Sequence, residues 1–131
     1  MKLEIFTICD TAQAYNDKLI IVGPFNQIVA TSLPCLHNGL SIVVRLRFNH
    51  DENGVKKYEL SIKNPQGGDF ITPIPAEFTA NVEEGGIGVL NLNVNLPTIK
   101  LETEGEYVVH LDGQDLHLTQ SFIVRVKPTQ K

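Results

Sequence analysis

Residues Leu101 to Lys127, LETEGEYVVHLDGQDLHLTQSFIVRVK, decide the fold class of this chain. Leu101, Gly105 and Tyr107 fall at the spacing of a tyrosine corner. In that device a Tyr near a strand start hydrogen-bonds backbone a few residues upstream and fixes a Greek-key crossover. Tyr107, Val109 and Leu111 alternate with Glu106, Val108 and His110, which gives one apolar and one mixed face. Asp112-Gly113 is a turn signal, and the chain returns as the last strand of a hairpin ending near Lys127. A corner of this kind fixes architecture and carries no chemistry.

The same grammar runs through the rest of the chain. Leu40, Ile42, Val44, Leu46 and Phe48 are expected to face a core, with Ser41, Val43, Arg45 and Arg47 facing water. Asn53-Gly54 turns the chain back into a strand over Val55 to Lys63, with Tyr58, Leu60 and Ile62 inward. Leu3 to Cys9 reads as the first strand, Asp10 to Asp17 as a short helical turn, and Lys18 to Ala30 as the second strand. Gly23-Pro24 interrupts that second strand, so a bulge, a bend between sheets or an edge position is required there. Pro73 and Pro75 make their segment an edge or a crossover, and Pro97 ends a strand running from Ile87 to Leu96. The expectation is an all-β chain: a two-sheet antiparallel β-sandwich with an immunoglobulin-like Greek key and eight or nine strands. It is expected to form a single domain over residues 1–131.

Composition narrows the function classes. A hydrophobic content of 42% supplies a core without a metal or disulfide framework. The formal charge of −4 argues against nucleic-acid binding, which needs a basic stripe to displace phosphate counterions. Neither a polybasic segment for anionic lipid nor an apolar run of the ~20 residues needed to span a membrane is present. The first residues, MKLEIFTICDTAQAY, do not read as a secretory signal, so a cytoplasmic location is expected. Cys9 and Cys35 are then expected as structural thiols, with a disulfide or reactive pair as the alternative.

Candidate chemistry is sparse. His110 and His117 fall on one face of the last hairpin, diagonal or directly opposite according to whether Asp112-Gly113 or Gly113-Gln114 makes the turn. A three-residue loop would bury His117 and expose Leu116 and Leu118, and is rejected on that ground. Two histidines alone do not complete a zinc site, and Glu106 is the candidate third ligand. Asn91, Asn93 and Asn95 form an amide row able to bind sugar hydroxyls, although the chain has no Trp platform; the alternative is a solvent-facing or subunit-contact row. The loop Asn49 to Gly54 gathers oxygen ligands but departs from the calcium-loop spacing and reads as a hairpin tip. Cys35 and His37, two apart in extended chain, sit too far from each other for a nucleophile–base dyad. No nucleophile elbow, phosphate-cradling Gly loop or zinc-protease helix motif occurs.

Lys18-Leu19-Ile20-Ile21-Val22-Gly23, Pro34, Arg45-Leu46-Arg47-Phe48, Glu52-Asn53-Gly54 and Asn64 to Gly67 together resemble a family of small bacterial domains of unknown function. The resemblance spans most of residues 5 to 125 and implies a cytoplasmic β-sandwich, with no catalytic residues to carry over. The residues and the resemblance lead to the same expectation. The chain is a non-catalytic β-sandwich acting through a protein partner or self-association, without a cofactor. The alternative is a small-ligand or glycan binder using the Asn91 face or the loops at Pro34 and Pro73, and a remote third is a metal-dependent enzyme built on His110 and His117.

Overall fold

The computed structural model describes residues 1–114 and 116–127. Eleven strands make up the described chain: β1 (Lys2–Tyr15), β2 (Lys18–Pro24), β3 (Gln27–Ala30), β4 (Cys35–His37), β5 (Leu40–Phe48), β6 (Gly54–Lys63), β7 (Ile74–Ala80), β8 (Gly88–Leu96), β9 (Ile99–Leu101), β10 (Gly105–Gly113) and β11 (His117–Val126). The helical content of the described residues is one 3₁₀ turn at His50–Glu52. The expected all-β class holds, with more strands than the eight or nine anticipated. The strands form a four-stranded sheet, β2-β1-β5-β8, a five-stranded sheet, β3-β11-β10-β6-β7, and a short β4-β9 pair. Pairing is antiparallel except between β3 and β11, which run parallel.

The inner faces of the two larger sheets share one core. Leu40, Ile42, Val44, Leu46 and Phe48 of β5 meet Leu60 and Ile62 of β6 and Val109, Leu111 and Phe122 of β10 and β11, all at most 2% exposed. The tyrosine corner is present. The Tyr107 hydroxyl donates to the Thr103 carbonyl at 2.8 Å, while its ring stacks on Phe122 and meets Phe70 edge-on. Gly105, at φ +132°, has no room for a Cβ, because Pro65 lies 2.8 Å from that position.

Three sequence expectations change. Residues 10 to 15 are strand: β1 continues past Cys9 and turns only at Asn16 and Asp17, both at positive φ. Ile8 faces the core between the sheets, whereas Cys9 and Ala12, three residues apart, both face the opposite side, which breaks the two-residue period and hides the strand in the sequence. The expected second strand, Lys18 to Ala30, is two strands in different sheets, β2 in the four-stranded and β3 in the five-stranded one, and Gly23-Pro24 is the bend between them, one of the alternatives expected there. Gly23 sits at φ +67° with the Asp10 carboxylate where a Cβ would go.

Val43 is the third change. Its side of β5 was expected to be wet, yet Val43 is fully buried. The β1–β2 hairpin curls back over the outer face of the four-stranded sheet, so Cys9 and Ala12, with Leu19 and Ile21, close over Val43 in a second, smaller core. Two hydrogen bonds pin the curl: the Asn93 amide donates to the Ala12 carbonyl at 2.9 Å, and Arg45 donates to the Asp17 carbonyl at 2.9 Å. Val108, on the mixed face of the last hairpin, is half-buried on the outer face of the five-stranded sheet.

Candidate functional site

The β10–β11 hairpin gathers the densest set of metal-binding donors among the described residues. Its register is Asp112↔His117, Leu111↔Leu118 and His110↔Thr119, closed by a bond from the Gly113 amide to the Leu116 carbonyl. The turn therefore lies one residue beyond the Gly113-Gln114 alternative and two beyond the Asp112-Gly113 one, with Asp112 and Gly113 inside the strand. Asp115 lies outside the described residues. Gly113 is held in the ladder by Tyr58, whose ring occupies the space a Cβ would take, 2.6 Å away.

Sliding the turn by one or two residues preserves side-chain parity, so both imidazoles still project from the outer face. The rings of His110 and His117 are diagonal neighbours, 5.7 Å apart and tilted by 34°. The third donor is Asp112. One donor atom from each of His110, Asp112 and His117 lies within 4.8 Å of the others, and the Asp112 carboxylate accepts a hydrogen bond from His117 Nδ1. Glu106, the ligand expected from the sequence, pairs across the sheet with Ile123 and accepts from the Ser121 hydroxyl at 3.4 Å. Asp112 was findable: it shares parity with His110 two residues away, but its reading as a turn residue hid it.

The amide row of Asn91, Asn93 and Asn95 lies on β8, and all three side chains are tied to neighbouring strands. Asn91 accepts from Arg45 at 3.0 Å, Asn93 donates to Ala12, and Asn95 accepts from the Ser41 hydroxyl. Asn93 Oδ1 is buried without a hydrogen-bond partner among the described residues. The row thus clamps the curled β1–β2 hairpin and the adjoining β5. Arg45 extends that clamp to Glu4, at 3.0 Å.

The Asn49–Gly54 loop is likewise engaged internally. Asn53 accepts from the Val82 amide at 2.7 Å and donates to the Val82 carbonyl at 3.0 Å, reproducing a backbone pairing with a side chain. Cys35 and His37 are the ends of β4 and pair with Leu101 and Ile99, while His37 packs edge-on against Phe25. Cys9 and Cys35 are both free thiols. Burial and, secondarily, the Asp10 charge raise the Cys9 thiol above its ordinary value, so it is held protonated.

Two surface clefts illustrate what the fold offers a small molecule. One of 290 Å³ lies beneath the tyrosine corner among Asp69, Phe70, Lys100 and Thr103, and another of 330 Å³ lies among Asp17, Arg45, Phe78 and Ile87. Both fall near the lower limit of ligand pockets, about 300 Å³.

The edge of the four-stranded sheet presents a different surface. Among the described residues β2 pairs with β1 on one side only and is the last strand in its order. Leu19 and Ile21 face the smaller core, whereas Ile20 and Val22 point outward at 52% and 53% exposure. Tyr15, across from Lys18, is 60% exposed, so three large apolar side chains cluster beside an unpaired strand edge.

No helix of the described residues is long and apolar enough to cross a membrane. No curated protein matches the chain. The match that does exist covers nearly all of the strands described above, from β1 to β11. The model of DUF6941, a family of unknown function, matches residues 4–126, and the chain belongs to that family.

Proposed function

We propose that this protein is a non-catalytic, cytoplasmic binding module that acts through protein–protein contact at the β2 edge, with a second copy of the chain as the partner. The carrying observation is the coincidence of an unpaired strand edge with exposed Ile20, Val22 and Tyr15. An open edge is a ready template for another strand, and natural proteins blunt such edges with charge, proline or short length when they are to stay unpaired. β2 runs for seven residues, with Lys18 and Pro24 only at its ends. Two copies pairing antiparallel at this edge would make an isologous contact, the commonest form of self-association. The acidic net charge and the absence of a basic stripe are in keeping with protein rather than nucleic acid as the partner.

The same reading extends to the fold. The tyrosine corner at the start of β10, together with connections that cross between sheets at β5–β6 and β7–β8, supports an immunoglobulin-like Greek key in one domain. In the glycan alternative the Asn91, Asn93 and Asn95 amides would have to release the hydrogen bonds they make within the chain, so that reading is not taken further.

Sedimentation velocity across micromolar to submillimolar protein tests the contact. The expected result is concentration-dependent dimer that disappears in the Ile20→Lys, Val22→Lys double variant. A strictly monomeric wild type across that range, or an unchanged dimer in the variant, contradicts the proposal.

A further inference from the structure

We infer that His110, Asp112 and His117 form a three-donor site for one divalent transition-metal ion, with Zn²⁺ as the test case. The site is separate from the β2 edge. It lies on the outer face of the five-stranded sheet, whereas β2 borders the four-stranded one.

Donor chemistry gives the class of ion. Two imidazole nitrogens and one carboxylate oxygen suit zinc, copper or nickel, whereas magnesium and calcium select oxygen donors. A tetrahedral zinc with bonds of 2.0–2.1 Å places its ligand atoms about 3.3 Å apart. The three donor atoms here already lie within 4.8 Å of one another, so at most about 1.5 Å of closure is needed, within reach of side-chain torsions. His110 comes from β10, His117 from β11, and Asp112 lies two residues from His110 and directly opposite His117. The fourth position is left to water, the arrangement of an open rather than a closed site.

The backbone beneath two of the three donors, His110 and Asp112, is held from both sides, and that beneath His117 is held by β10. β10 pairs with β11 on one flank and β6 on the other, and Gly113 is locked against the Tyr58 ring. The two donors mounted on that doubly paired strand lose little further freedom when an ion binds.

Charge gives an independent reason for a cation at this place. Asp112 also lies directly opposite Glu59 of β6, so two carboxylate residues are cross-strand neighbours. Like charges directly opposite each other in a sheet are unfavourable. Among the described residues neither carboxylate has a Lys or Arg in ion-pair contact; Asp112 has only His117. A divalent ion between Asp112 and the two imidazoles offsets that repulsion.

Calorimetric titration of untagged, chelator-treated full-length protein with Zn²⁺ is the test. The expected result is saturable one-to-one binding at micromolar metal, weakened about tenfold or more in each of His110→Ala, His117→Ala and Asp112→Asn. Glu106→Gln binds as wild type does, and Mg²⁺ gives no heat. Independently of any variant, Zn²⁺ shifts the imidazole resonances of His110 and His117 and leaves those of His37 and His50 in place. Absence of saturable Zn²⁺ binding, undiminished affinity in the His110→Ala, His117→Ala double variant, or shifts confined to His37 and His50 each overturn the site.

Discussion

Val43 and Val44 are adjacent on β5 and equally buried, but for different reasons. Val44 faces the core between the two larger sheets, where Leu60, Ile62 and Val109 meet it from the opposite layer. Val43 faces the other way and is covered only because the β1–β2 hairpin folds back over its own sheet. The inner core is made by two sheets that each need a partner. The outer one is made by a single sheet curling on itself, and its lid carries the exposed edge of β2. Burial on the outer face and the availability of that edge are therefore one structural event.

The comparison can be broken most forcefully at Val43. Replacing it with Asp puts an unpaired charge in the smaller core, and a loss of about 3–5 kcal/mol in denaturant unfolding is expected. If the outer face were wet, the same change would cost less than about 0.5 kcal/mol, the ordinary range for surface substitutions. A smaller effect sharpens the inner side. Tyr107→Phe keeps the ring between Phe122 and Phe70 but removes the hydroxyl bond to Thr103, so a loss of about 1 kcal/mol is expected. An unchanged midpoint would mean that the corner bond contributes nothing to the fold.

The smallest effect concerns Cys9 in the outer core. Its folded-state pKa is raised above the ordinary value of 9.0, so the folded protein keeps a proton that the unfolded chain releases. The associated stability is complete below that ordinary value and is lost as pH rises through the folded one. Wild type is thus expected to lose more stability than Cys9→Ala between about pH 8 and 10. Parallel pH curves for the two proteins would argue that Cys9 is not sequestered.

Most of the inner core was legible because a strand buried on one side writes a two-residue period, as Leu40 to Phe48 and Tyr107 to Leu111 do. The outer core was not, because an outward-facing Val43 looks the same whether water or a folded-back hairpin lies above it. Residues 10 to 17 read as a helical turn because Cys9 and Ala12, three apart, both face the smaller core and erase the two-residue period there. At the hairpin, parity survived and register did not. Asp112-Gly113 has the composition of a turn, but the missing Cβ of Gly113 accommodates Tyr58, a contact between strands that local sequence does not carry. Parity alone places the two histidines on one face, whereas the Asp112 carboxylate that the fold sets beside them is masked in the sequence by its turn composition. The amides of Asn91, Asn93 and Asn95 were visible as a row, while their hydrogen bonds to Arg45, Ala12 and Ser41 depend on the curl.

Hydrogen exchange across β2, measured in dilute and in concentrated protein, tests the proposed contact most directly. The amides of Lys18 to Val22 that point away from β1 should exchange fast when dilute and become protected as concentration rises. Exchange that is the same at both concentrations would contradict a strand-edge contact and leave β2 an ordinary solvent-facing border.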